Sequence, residues 1–140
     1  MTRSSRFVAS FVVAAIFGSV PVLLLARAML TGPKAVTSEF PVVLLLPALG
    51  WLVPFALGLV WTWWRNVDLT PLRGAVLGFL SVCTYAVAIG IYLVAARNLD
   101  VAFLVLRLVF ALPSGVAVAV MTAGSVWLVS RVFDRRSSRA

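Results

Sequence analysis

The sequence predicts an all-α protein, an integral membrane four-helix bundle with both termini on the cytoplasmic side. Three observations carry that expectation. The chain is 63% hydrophobic and only 11% charged, whereas a soluble domain is about 45–50% apolar and about 25% charged. A soluble fold of this size could not hide so much apolar surface. The apolar residues also fall into four long stretches, 7–30, 40–64, 74–96 and 101–129. Each exceeds the roughly 20 residues that cross a bilayer core as a helix, and helix is required because an open strand would leave backbone groups unpaired in hydrocarbon. Finally, the basic residues are distributed unevenly. Arg3 and Arg6, Arg65 and Arg73, and the tail residues Arg131, Arg135, Arg136 and Arg139 fall on one side of such a topology, against Lys34 and Arg97 on the other. Lys and Arg in short loops mark the cytoplasmic face.

The first span follows Ser4 and Ser5, either of which can cap it, and stops at Thr31-Gly32-Pro33, where glycine suits a helix terminus and proline cannot continue. Arg3, Arg6 and the Ala26-Arg27-Ala28 triplet give this segment some likeness to a signal peptide. Its apolar run is longer than the 7–15 residues of the usual hydrophobic region, so it is read as a retained span. Ala14-x3-Gly18 offers a small face for packing.

The second span carries Pro41, Pro47 and Pro54, with Gly50 between the last two. Pro47 and Pro54 share roughly one face, and each removes a backbone donor and bends the helix. Trp61, Trp63 and Trp64 close the span just before Arg65, which suits indole anchors at headgroup level. Thr70-Pro71 reads as an N-cap with proline at the first helical position of the third span. That span holds Gly74-x3-Gly78, with Ser81 a turn later. Asp100 or Asn98 can cap the fourth span, which contains Arg107, a kink at Pro113, the series Gly115-x3-Ala119-x3-Ala123 and a further interface anchor, Trp127. Small residues at this spacing let helix backbones approach closely in lipid, either among the helices of one chain or with another chain. The connections are too short to fold separately. The chain is thus a single transmembrane domain over residues 1–140, with a basic cytoplasmic tail at 130–140.

Missing residue types narrow the chemistry. The chain has no histidine and one cysteine, Cys83, which leaves no imidazole base, no histidine-based metal site and no internal disulfide. The acids Glu39, Asp68, Asp100 and Asp134 lie at segment boundaries, so a mid-membrane proton relay is lacking. The polar residues within the spans, such as Ser81, Cys83, Thr84, Tyr85 and Thr122, can satisfy themselves within a helix. No nucleotide, nucleophile or metal motif occurs. The expectation is a protein that is not an enzyme and takes neither metal nor cofactor. A net charge of +8 is explained by segment ends and tails, without nucleic acid.

The sharpest candidate groups are Arg27, Arg97 and Arg107, on the outer side, with Asp100 seven residues before the last. They either bind an anion or a lipid headgroup, or reach the interface along their stems. Two functions follow as expectations. The first is an accessory or scaffold subunit, or a homo-oligomer, of a cell (inner) membrane, acting through helix–helix association in the bilayer or within a larger membrane complex. The alternative is a small channel or transporter for an anionic or neutral solute, with the outer-leaflet arginines as binding groups.

Overall fold

Local signals place the helices. The computed structural model describes residues 2–30, 49–98 and 100–139 and, within the helices, no side chain of residues 22–23, 25–30, 97, 103, 107 or 110. The described residues form four helices and no strand: α1 Arg3–Leu30, α2 Leu52–Trp64, α3 Pro71–Arg97 and α4 Val101–Ser137. Three of them are long and apolar enough to cross a membrane, and α2, with 13 residues, is shorter. At 1.5 Å per residue α2 is about 20 Å long. Residues 40–48 of the second apolar stretch, Pro47 among them, lie outside the described residues.

Thr70 caps α3, accepting a hydrogen bond from the Arg73 backbone N–H at 3.3 Å, and Pro71 follows at the first helical position. Elsewhere the ends differ from expectation. α1 begins at Arg3, so Ser4 and Ser5 lie in its first turn, where the Ser5 hydroxyl donates to the Thr2 carbonyl at 2.6 Å. Asn98 does not start α4; it ends α3 in the left-handed region at φ 50°, which asparagine tolerates better than most residues. Asp100 occupies the position before α4 without a side-chain capping bond. α4 also runs past residue 129 to Ser137, because Arg131, Arg135 and Arg136 are good helix formers and favour the negative end of the helix dipole.

Proline acts differently in its two described settings. Leu49 and Gly50 are helical, the helix is interrupted at Trp51, and Pro54 falls in the first turn of α2. A proline there lacks a donor that the helix would not use, while its ring excludes the carbonyl four residues earlier, at Gly50. Pro21 and Pro113, by contrast, stand inside the continuous α1 and α4.

The helices pack in a closed ring. α3 and α4 share the most extensive interface, α1 lies against α4, and α2 joins α1 to α3. Each helix buries one narrow stripe. In α1 it is Phe7, Ser10, Ala14 and Gly18; in α3 it is Gly74, Gly78, Val82, Ala86 and Gly90; in α4 it is Ala111, Gly115, Val118, Thr122, Val126 and Val129. The three-to-four-residue spacing is that of one helix face. The stripes of α1, α3 and α4 are built largely of small residues, whereas α2 and the residue before it bring Trp51, Phe55 and Leu59 into the core. Many large apolar side chains point outward: Leu57 is 66% exposed, Val53 63%, Ile16 62% and Val120 64%. A water-soluble bundle is arranged the other way, with its bulky apolar groups inside. Small residues between helices and large apolar ones outside are what lipid favours.

A candidate site at the basic end of the bundle

The first turn of α1, the α2–α3 connection and the last turns of α4 meet at one end. Arg3 joins two of them: its guanidinium donates to the Asn66 side-chain oxygen at 2.6 Å and to the Val67 carbonyl at 2.8 Å. Asn66 can turn the chain sharply here because it adopts φ 54°. Arg6 pairs with Asp134 across the α1–α4 interface at 3.2 Å, both side chains being largely exposed, so the pair adds little stability on its own. Arg73 donates to the Asp68 carbonyl at 2.6 Å.

Aromatic rings rim this end. Arg65 lies over Trp61 at 5.4 Å and Arg131 over Trp127 at 4.9 Å, while Trp61 and Trp64 meet edge to face at 5.9 Å. Trp61, Trp63, Trp64 and Trp127 are all exposed. Each arginine–indole pair contributes about 0.5–1 kcal/mol at such sites.

A cavity of about 270 Å³ opens among these elements, with Arg3, Arg6, Ser10 and Asp68 on its polar side and Leu69 and Val126 on its apolar side. Ser10 is 2% exposed. The Arg3 Nε–H is buried and has no hydrogen-bond partner among the described residues. An apolar groove of about 310 Å³ between α1 and α2, lined by Phe11, Ala56, Leu59 and Trp63, shares Phe7 with this cavity.

The backbone brings Arg27, Arg97 and Arg107 to the opposite end: they stand in the last turns of α1, at the end of α3 and in the second turn of α4. Their side chains lie outside the described residues. The glycines singled out for packing face neighbours within the same chain. A Cβ on Gly74 would come within 2.8 Å of Val126, one on Gly78 would strike the Thr122 hydroxyl, and one on Gly115 would lie 3.0 Å from Phe79. Ala119 offers its carbonyl to the Thr122 hydroxyl at 3.0 Å. Gly18 leaves room for the indole of Trp51, 2.7 Å from where its Cβ would stand.

Three features escape sequence reading. Trp51 is fully buried and packs at 5.4 Å against Phe55, the rings tilted by 50°, unlike the four exposed tryptophans. Its signal was present: it lies far from any basic residue and four positions before Phe55. Ser10, buried on α1, looked like one polar residue in an apolar run. The pairing of Arg3 and Arg6 around one cavity depends on the return of α4 and the α2–α3 connection, which no local pattern encodes. Among the described residues no cluster of metal-ligating side chains occurs.

These features define a class: an all-helical protein with three helices suited to a membrane, compatible with a membrane protein. No family model, no curated protein and no solved structure matches the chain.

Proposed function

We propose that the protein is an integral membrane protein with both termini cytoplasmic, acting through helix–helix association as a scaffold or accessory subunit or as a homo-oligomer. The observation that carries the reading is the use of the glycines. Gly18, Gly74, Gly78 and Gly115 are occupied by packing inside the chain, whereas a Cβ on Gly124 would meet nothing within 4 Å. Gly124 sits on the outer face of α4 beside Val120, Trp127 and Leu128, all exposed. Glycine on an exposed helix face costs about 0.8–1 kcal/mol against alanine, and in lipid it gives a second helix a place of close approach.

The interior supports association over conduction. Trp51, Phe55, Val118, Val126 and Thr122 are fully buried, and they fill the space that a pore would need. A small channel or transporter for an anionic or neutral solute remains the rival reading, with the arginines of the opposite end as its binding groups.

The test is the mass of the particle purified in mild detergent, together with identification of whatever accompanies it. The expected result is a dimer or a complex that Gly124→Leu dissociates, with the helical circular dichroism unchanged. A lone monomer without a companion overturns the proposal, and solute flux through reconstituted vesicles establishes the rival.

A further inference from the structure

We propose that the cavity at the basic end is a phosphate site, formed by Arg3 and Arg6 with Ser10, that holds the headgroup phosphate of a phospholipid whose acyl chain lies in the α1–α2 groove. Only the lipid part rests on the membrane reading above; the phosphate chemistry stands on the cavity.

The argument begins with Arg3. Its two terminal nitrogens are committed to Asn66 and Val67, which fixes the plane of the guanidinium. Its Nε–H is enclosed by the protein as well, so Arg3 acts on the cavity it lines through a fixed positive charge. A positive charge held in place beside a cavity favours an anion within it. Arg6 reaches the same cavity, and its link to Asp134 is solvent-exposed, so it can be exchanged at little expense. The serine hydroxyl adds a donor from the buried side. Two donors from different directions beside a fixed positive charge suit the many acceptor oxygens of phosphate. Asp68 also lines the cavity and is exposed, so its carboxylate is available to a positively charged headgroup substituent.

The setting selects the source of the phosphate. The cavity lies at the level of the Arg65–Trp61 and Arg131–Trp127 pairs, and indole rings sit with lipid headgroups. The apolar groove shares Phe7 with the cavity, so the two are neighbours and one molecule can place its phosphate in the cavity and a hydrocarbon chain in the groove.

Native mass spectrometry of the full chain in mild detergent, with phosphatidylglycerol, phosphatidylethanolamine, phosphatidylcholine or inorganic phosphate added, reads the site directly. The same spectra report association, so the two proposals fail separately. Phospholipid adducts are expected to weaken about tenfold or more in Arg3→Gln/Arg6→Gln, given the strength of charge-assisted hydrogen bonds. The charge-matched control Arg135→Gln/Arg139→Gln should change them less than about twofold, since diffuse attraction to a basic surface is weak per charge. Because Arg3 also ties down the α2–α3 connection, Ser10→Leu is the second variant: it keeps both arginines and fills the cavity, and it should lower the adducts equally. Preference for phosphatidylethanolamine, abolished by Asp68→Asn, would extend the site to the headgroup amine. Equal loss in the control pair, or adducts indifferent to both Ser10→Leu and the arginine variant, overturns the site. An arginine-dependent response to inorganic phosphate alone overturns the lipid as its occupant.

Discussion

Thr122 shows how much one side chain does in this fold. It has no exposed surface, and its hydroxyl stands 2.9 Å from the carbonyl of Gly74 on the neighbouring helix and 2.9 Å from that of Val118 on its own. The approach is possible because Gly74 and Gly78 carry no side chain to hold α4 away. Thr122→Val is expected to lower stability by about 0.6–1.7 kcal/mol, the range for interhelical hydrogen bonds in membrane proteins. Gly78→Ala should cost about 1–3 kcal/mol, because the added methyl has to displace the threonine. Denaturation of the detergent-solubilised protein, followed by circular dichroism, checks both. Were Gly78→Ala as stable as the parent, the close α3–α4 contact would not exist in solution. Trp51 is the counterpart on the other side of the ring, its indole seated against Gly18; there too a missing side chain on one helix is what admits a large one from its neighbour.

The helices separate what the sequence displays from what it conceals. The start of α3 was legible because threonine before proline is a local signal, with a local reason for each residue. Thr70→Ala is therefore expected to cost about 1 kcal/mol through loss of the cap, whereas Asn98→Gly should be neutral or slightly stabilising, since glycine adopts the left-handed conformation of that position without strain. Thermal unfolding of the two variants separates these outcomes, and a destabilised Asn98→Gly would mean that the asparagine side chain has a further role. The apolar stretches themselves were legible from composition, and three of them correspond to long helices. The interruption at Trp51 follows Gly50, whose carbonyl the Pro54 ring excludes, so its cause is written in the sequence; the burial of the indole depends also on the room that Gly18 leaves for it. Hydropathy falls at the tail arginines but helix propensity does not, so the apolar stretch ends near residue 129 while α4 extends to Ser137. Of the candidate sites, the rim of tryptophans could be read from its nearness to basic residues. The cavity could not, since Arg3, Arg6 and Asp68 come together only through the ring of helices.

At the scale of the molecule, the decisive property is that opposite ends differ. The hydrogen bonds from Arg3 to the α2–α3 connection and the pairing of Arg6 with Asp134 hold the start of α1, the turn at 65–70 and the end of α4 together. Asn98 lies beyond the far end of α3. The shared end carries Arg3, Arg6, Arg65, Arg73, Arg131, Arg135, Arg136 and Arg139, against the acids Asp68 and Asp134. If the chain crosses a membrane, this asymmetry sets its direction, because segments rich in Arg are retained on the cytoplasmic side. The expectation can be checked with single cysteines in a Cys83→Ala background. Asn98→Cys should react with a membrane-impermeant maleimide in sealed cells, and Ser138→Cys should react only after the cells are opened. Reaction of Ser138→Cys in sealed cells would reverse the orientation. Labelling of both positions would mean that these ends do not lie on opposite sides of a bilayer. Replacing Arg131, Arg135, Arg136 and Arg139 together by Gln tests the cause as well as the outcome: if charge directs insertion, a fraction of the Ser138→Cys chains should then become accessible from outside, whereas a direction fixed by packing alone would leave the labelling unchanged.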